Sequence, residues 1–156
     1  MTDTRTQMIE TMRSMPAGLD ALVAPLTPEQ LHTPYMADEW TVAQNVHHLA
    51  DSHMHAFIRV KSALTAERPT FALYDQDDWA ETPDVKNVDI SESLAILGGL
   101  HARWCALWDS LDDEQWQRLA VHPVDGERSV ERFLEIYSAH GAGHMDQIRR
   151  TLAAAP

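Results

Sequence analysis

Four stretches of this chain repeat their apolar residues at intervals of three and four, and no other feature narrows its fold as much. Met8, Ile9, Met12, Met15, Leu19 and Leu22 space a first helix over residues 4–24. Pro16 and Gly18 inside it predict a kink or a break. Thr41 and Gln44 form a T-x-x-Q capping box. Val42, Val46, Leu49, Phe57, Val60 and Leu64 then line a second helix to about Ala66. Ser91 predicts the cap of a third, which Leu94, Leu97, Leu100, Trp104, Leu107, Trp108 and Leu111 carry to its end. Ser129 caps a fourth running to about Leu152, with Val130, Phe133, Leu134, Tyr137, His140, His144 and Ile148 on one stripe. Residues 27–31 and 112–119 read as short helices and 122–129 as a turn. No strand pair is predicted.

The segment 68–87 is long for a loop in a compact domain, and loops of that length tend to serve a function or to be disordered. Its Tyr74 and Trp79 argue against disorder. The expectation is one all-α domain over residues 1–156: a four-helix bundle with short extra helices and a long loop between helices two and three. Bundles of this kind build buried sites from facing helices.

The charge balance bears on partners. Twelve basic and 24 acidic side chains give a formal charge of −12, which disfavours nucleic acid and anionic membranes. No apolar run has the length of a membrane span, and the N-terminus has no apolar signal core, so a soluble, cytoplasmic protein is expected. The single cysteine, Cys105, sits in the apolar run RWCALW and reads as packing.

Nine histidines are many for 156 residues. His140 and His144 stand four apart, so both rings leave the same helix face one turn from each other and can reach one ion. They continue an apolar stripe, which points them inward, where an imidazole needs a polar partner. The second helix carries HHLADSHMH. His48, Asp51 and His55 share a face there, and His47 is turned away by about 100°. That geometry favours His48 as a third ligand, with Asp51 or His55 orienting a ligand or acting catalytically, or both simply solvated. Surface or packing roles are expected for His32, His53, His101 and His122. Gly141 and Gly143, which flank Ala142 between the paired histidines, imply either a close approach of another helix or room for substrate.

These residues resemble a known family. EWTVAQNVHHLADSH (39–53) is similar to the second-helix signature of the DinB superfamily, and most of all to its YfiT-like branch of metal-dependent hydrolases and bacillithiol transferases. YDQDDWAETPD (74–84), LHARWCALWDSL (100–111), the HP at 122–123 and LEIYSAHGAGHMDQI (134–148) follow in the expected order. The resemblance implies a four-helix bundle holding one divalent metal per chain on His48, His140 and His144, and a homodimer. Relatives tend to carry extra histidines where this chain has Gly143 and Gln147, which are not the expected ligands.

Three histidines with open positions make the pattern of a catalytic zinc site. The expected function is a hydrolase, or an S-transferase using a low-molecular-weight thiol, with zinc foremost and nickel next among the metals. A non-catalytic metal-binding protein is the alternative. Asp51 is the candidate base, and Tyr74, Trp79 and His55 are the candidate pocket walls. Homodimerisation also follows from the apolar surplus around Trp104, Cys105, Leu107 and Trp108. Because imidazole ligates only when neutral, metal affinity is expected to fall as pH drops through the usual histidine range near 6.5.

Overall fold

The structure, a computed structural model, describes residues 2–156. Helix α1 (Thr2–Val23) runs through Pro16 without the break that is one of the two expectations there. A proline inside a helix removes the N–H that would reach the carbonyl four residues back, here that of Met12. That carbonyl instead accepts a hydrogen bond from His101 Nδ1 at 2.6 Å, so it is not left unpaired.

Helix α2 (Pro28–His32) opens on a Thr27–Gln30 capping box. Helix α3 (Val42–Thr65) opens on the expected box: Gln44 N donates to Thr41 Oγ1 at 3.1 Å and Thr41 N donates to Gln44 Oε1 at 2.9 Å. The expected long loop contains helices α4 (Gln76–Ala80) and α5 (Pro83–Asn87). Helix α6 (Ile90–Asp109) is capped by Asp89, not Ser91. The Asp89 carboxylate accepts from Ser91 N at 2.8 Å, which starts the helix early enough to bury Ile90.

After α7 (Asp113–Trp116) comes a feature the sequence reading missed. Strands β1 (Leu119–His122) and β2 (Gly126–Ser129) pair antiparallel, with Leu119 opposite Ser129 and His122 opposite Gly126. Each is four residues long, too short for alternation to register. Gly126, at φ 83°, supplies the left-handed position of the turn. His122 Nδ1 accepts from Val124 N and Asp125 N and fastens it. Helix α8 (Val130–Ala153) begins on Ser129 as expected, its hydroxyl accepting from Arg132 N.

Helices α1 and α3 each pack mainly on α6 and α8, so α1 lies diagonally across from α3, and α3 is a neighbour of α8. The core divides into two apolar clusters, one around Trp104, Trp108 and Phe133 and the other around Leu19, Leu49 and Ile148. Along α3, α6 and α8 the histidines at 48–53, 101 and 140–144 fall where one cluster gives way to the other. A polar layer therefore crosses the middle of the bundle.

Trp104, Cys105 and Trp108 are buried within the chain, and Trp116 of α7 stacks on Trp108 at 5.2 Å. The apolar surplus on α6 is thus covered internally, and the homodimer expected from it loses that support.

The two glycines between the paired histidines differ. A Cβ on Gly141 would lie 2.7 Å from Met15 Cγ, whereas one on Gly143 meets nothing within 4 Å. Gly141 is the close approach of α1 to α8. Gly141→Ala is expected to cost about 1–3 kcal/mol through overpacking. Gly143→Ala is expected to add up to about 1 kcal/mol through helix propensity. Urea denaturation of both variants checks this, and an undiminished midpoint for Gly141→Ala would refute the close approach.

Candidate metal centre

Packing of α3 against α8 brings the three expected ligands together. One nitrogen from each of His48, His140 and His144 falls in a group within 4.8 Å of one another. Trp40 stands just before α3 and walls this group, 4.6 Å from the His48 ring and near-parallel to His144 at 6.1 Å.

The hydrogen bonds around the trio fix which nitrogens are free. Asn45 Nδ2 donates to Thr41 O at 3.0 Å, so its Oδ1 accepts from His144 Nδ1–H at 2.8 Å. His144 Nε2 therefore presents a lone pair. On the other side, His140 Nδ1 lies 3.1 Å from His53 Nε2, and His53 Nδ1 lies 2.7 Å from His101 Nε2. His101 Nδ1 must donate to the Met12 carbonyl, which can only accept. Followed back from there, each ring carries its proton on Nδ1, and His140 Nε2 is left bare.

The two bare nitrogens of His140 and His144 face each other at 3.2 Å. His48 Nε2 is buried with no hydrogen-bond partner. Two opposed lone pairs and an orphaned buried nitrogen are repulsive or costly unless a cation lies among them. Protonation does not supply that cation near neutral pH. Burial, then the neighbouring His144, pushes His48 down to about 4. Burial, then His144 and His48, pushes His140 down to about 3. Three neutral imidazole nitrogens fit a divalent transition metal.

The other expected site residues form a second group. His55 stacks on Tyr74 at 4.3 Å and meets Trp79 at 5.0 Å, while Tyr74 and Trp79 are 4.7 Å apart. They adjoin one another but do not line the cavity that reaches the trio. Asp51 makes no hydrogen bond or ion pair with His48, His140 or His144. Burial, then the charge of Asp84, raises its carboxyl to about 6.

A cavity of about 230 Å³ reaches His144, and Asp38, Glu39, Trp40, Gln76, Asp77 and Gln147 complete its lining. Gln147 Nε2 donates to Glu39 Oε2 at 2.6 Å across it. The mouth is therefore acidic, a feature the sequence reading did not find because its parts come from three separate segments. His53 and His101, expected on the surface or in packing, are buried and bonded into the centre.

The comparisons with known proteins agree with this geometry. The model of the DinB superfamily matches residues 11–148. YfiT of Bacillus subtilis, named as a candidate metal-dependent hydrolase, is 44% identical over 141 residues, covering 90% of this chain and 79% of its own. A candidate metal-dependent hydrolase of Oceanobacillus iheyensis is 41% identical over 142 residues, covering 91% of this chain and 82% of its own. The solved structure of Bacillus subtilis YfiT, described as a candidate metal-dependent hydrolase with an unusual four-helix bundle topology, superposes with a TM-score of 0.93. It is 40% identical and covers 97% of this chain and 87% of its own. With its bundle, its three histidines and these relatives, this chain belongs to the DinB superfamily as a YfiT-like protein.

Proposed function

We propose that this chain is a divalent-metal-dependent hydrolase with one ion held by His48, His140 and His144. The observation that carries the reading is the 3.2 Å approach of the bare Nε2 atoms of His140 and His144. A bound divalent cation supplies Lewis acidity, lowering the pKa of a water or thiol that it binds. Three protein ligands leave room for such a molecule, whereas structural sites are usually closed by four.

The chain's own groups divide the remaining work. Asn45 and His53 orient two of the ligand rings. Asp51, three residues beyond His48 on α3 with its carboxyl raised by burial to about 6, is the candidate acid or base, and it would act through water because it touches none of the three histidines. The cavity on His144 is the way in for substrate, and Asp38, Glu39 and Asp77 at its mouth disfavour anionic molecules. That weighs hydrolysis of a neutral or cationic substrate above transfer to an acidic thiol.

The test is turnover by zinc- or nickel-reconstituted protein on neutral, cationic and anionic esters and amides, with and without a low-molecular-weight thiol. Metal-dependent hydrolysis of the neutral or cationic members without thiol is expected. Turnover only with thiol would replace hydrolysis by S-transfer. No turnover at full metal occupancy would leave a metal-binding protein.

A further inference from the structure

A chain of hydrogen bonds runs from the metal trio across the whole bundle. It starts at His140 on α8, passes through His53 on α3 and His101 on α6, and ends on the carbonyl of Met12 in α1. One residue from each long helix takes part. We infer that His53 and His101 are positioning residues: they relay the polarity of the Met12 carbonyl to His140 and hold it in the tautomer that leaves Nε2 free for a metal. The inference rests on the metal reading above.

The direction of the relay is set at its far end. A neutral imidazole has one donor and one acceptor nitrogen, so fixing one end of a row fixes all of it. A row of imidazoles alone has two equivalent polarities, and one of them would place a proton on the ligating atom of His140. The backbone carbonyl breaks that symmetry because it only accepts. It is available because of Pro16: residue 16 is the helical partner of the Met12 carbonyl, and proline has no N–H to give. The helix-interior proline of α1 and the ligand atom on α8 are thus two ends of one device.

The burial of the row makes the constraint strong. His53 is 0% and His101 1% exposed, so no water stands ready to satisfy a reversed tautomer. His53 is also clamped edge-on by Trp104 and Tyr137, at 5.9 and 5.2 Å, and lies end to end with His101, the two rings within 14° of coplanar, which hinders the ring from turning. A ring that can neither turn nor rehydrate transmits its neighbour's polarity. Ligating histidines generally depend on such partners, and losing one typically weakens metal binding by about 10–100-fold.

The test uses histidine-labelled full-length protein, without and with zinc. Two-bond proton–nitrogen NMR reports which nitrogen of each ring is protonated. His101, His53 and His140 are all expected to carry the proton on Nδ1 before zinc is added. His53→Leu, which offers His140 no acceptor, is expected to weaken cobalt binding by about 10–100-fold in competition with a chelator. His53→Gln, whose amide offers an acceptor and a donor, is expected to recover most of that loss. An Nε2 proton on His140 or His53 in the metal-free wild type overturns the relay, as does a folded His53→Leu protein that binds cobalt like wild type. The wild-type spectrum decides even if the leucine variant does not fold. The expected tautomers in a protein that takes up no metal would sink the metal reading and leave the relay, whereas metal uptake with reversed tautomers would do the opposite.

Discussion

His140→Ala, prepared without an affinity tag, is expected to lose stoichiometric zinc while keeping its helical content. The structural sites of zinc-finger peptides, with four ligands, bind with about 10–16 kcal/mol, or roughly 2.5–4 kcal/mol per ligand. At about 1.4 kcal/mol per tenfold, losing one ligand weakens binding by roughly two to three orders of magnitude. His48→Ala and His144→Ala belong to the same class, since the three nitrogens form one group. The choice of control matters. The sequence reading makes His53 a bystander, but its contact with His140 removes it from that role. His32, exposed on α2, serves instead, and His32→Ala is expected to bind zinc as wild type does. The check is elemental analysis after dialysis against a weak chelator. Full zinc in the His140 variant would end the assignment, because no other group of three ligands occurs among the described residues.

The three clustered histidines were legible in the sequence and their support was not, for a physical reason. His140 and His144 sit one turn apart on a stripe whose apolar members point inward, so spacing alone puts both rings in the bundle. His48 lies on the helix expected to face the last one, and its ring meets His140 and His144 there. His53 carries the same mark, filling the gap between Leu49 and Phe57 in the stripe of α3, but the stripe says only that the ring is buried, not what it bonds. Its role appears only when α6 brings His101 to one side of the ring and α8 brings His140 to the other, and those partners lie 48 and 87 residues away. Pro16 shows the same limit. The sequence says a hydrogen bond is missing from α1, which reads as a kink. Only the tertiary structure says that a side chain from α6 supplies the missing donor. The bundle itself was legible because four long 3–4 patterns leave few alternatives. The hairpin 119–129 was not, because four-residue strands are held by pairing and by Phe71 N on Val121 O rather than by a pattern of their own. Likewise the cap of α6 moved from Ser91 to Asp89, two adequate caps whose competition is settled by where Ile90 packs.

Acid is expected to unfold the metal-free protein cooperatively close to pH 5, and metal release is expected to coincide with unfolding of the metal-loaded protein instead of tracking the ordinary histidine range. The folded pKa values of His48 and His140 are depressed, to about 4 and about 3, and burial, then His101 and the other nearby rings, holds His53 well below its usual value. Unfolded, all three titrate near 6.5. Below that pH the unfolded chain takes up protons at these three rings, and at His101 and His144, which burial also lowers, that the folded one refuses, so stability falls as pH falls from about 6.5 toward the folded values. Each such proton is worth about 1.4 kcal/mol per pH unit, and integrating from pH 7 to pH 5 gives a loss of about 4 kcal/mol for His48 and His140, to which His53 adds in the same direction. Asp51 works the other way. Its raised carboxyl favours the folded state as pH drops from about 6 toward the usual carboxylate range, and its partial exposure keeps that offset to roughly 1 kcal/mol. A domain has only about 5–15 kcal/mol of stability to lose. While the fold holds, protons compete poorly for the ligands, so zinc affinity should stay nearly level from pH 8 to about 5.5. This revises the expectation that affinity falls through pH 6.5, and it also means that a level profile does not imply carboxylate ligands. Saturating zinc stabilises the folded state by mass action and should move the acid midpoint lower. Far-UV circular dichroism and a chelator-competition titration on the same samples decide the matter. A drop of tenfold or more in zinc affinity between pH 7 and 6, with the dichroism still native, would mean that the ligand histidines titrate as exposed ones and are not buried in the arrangement described.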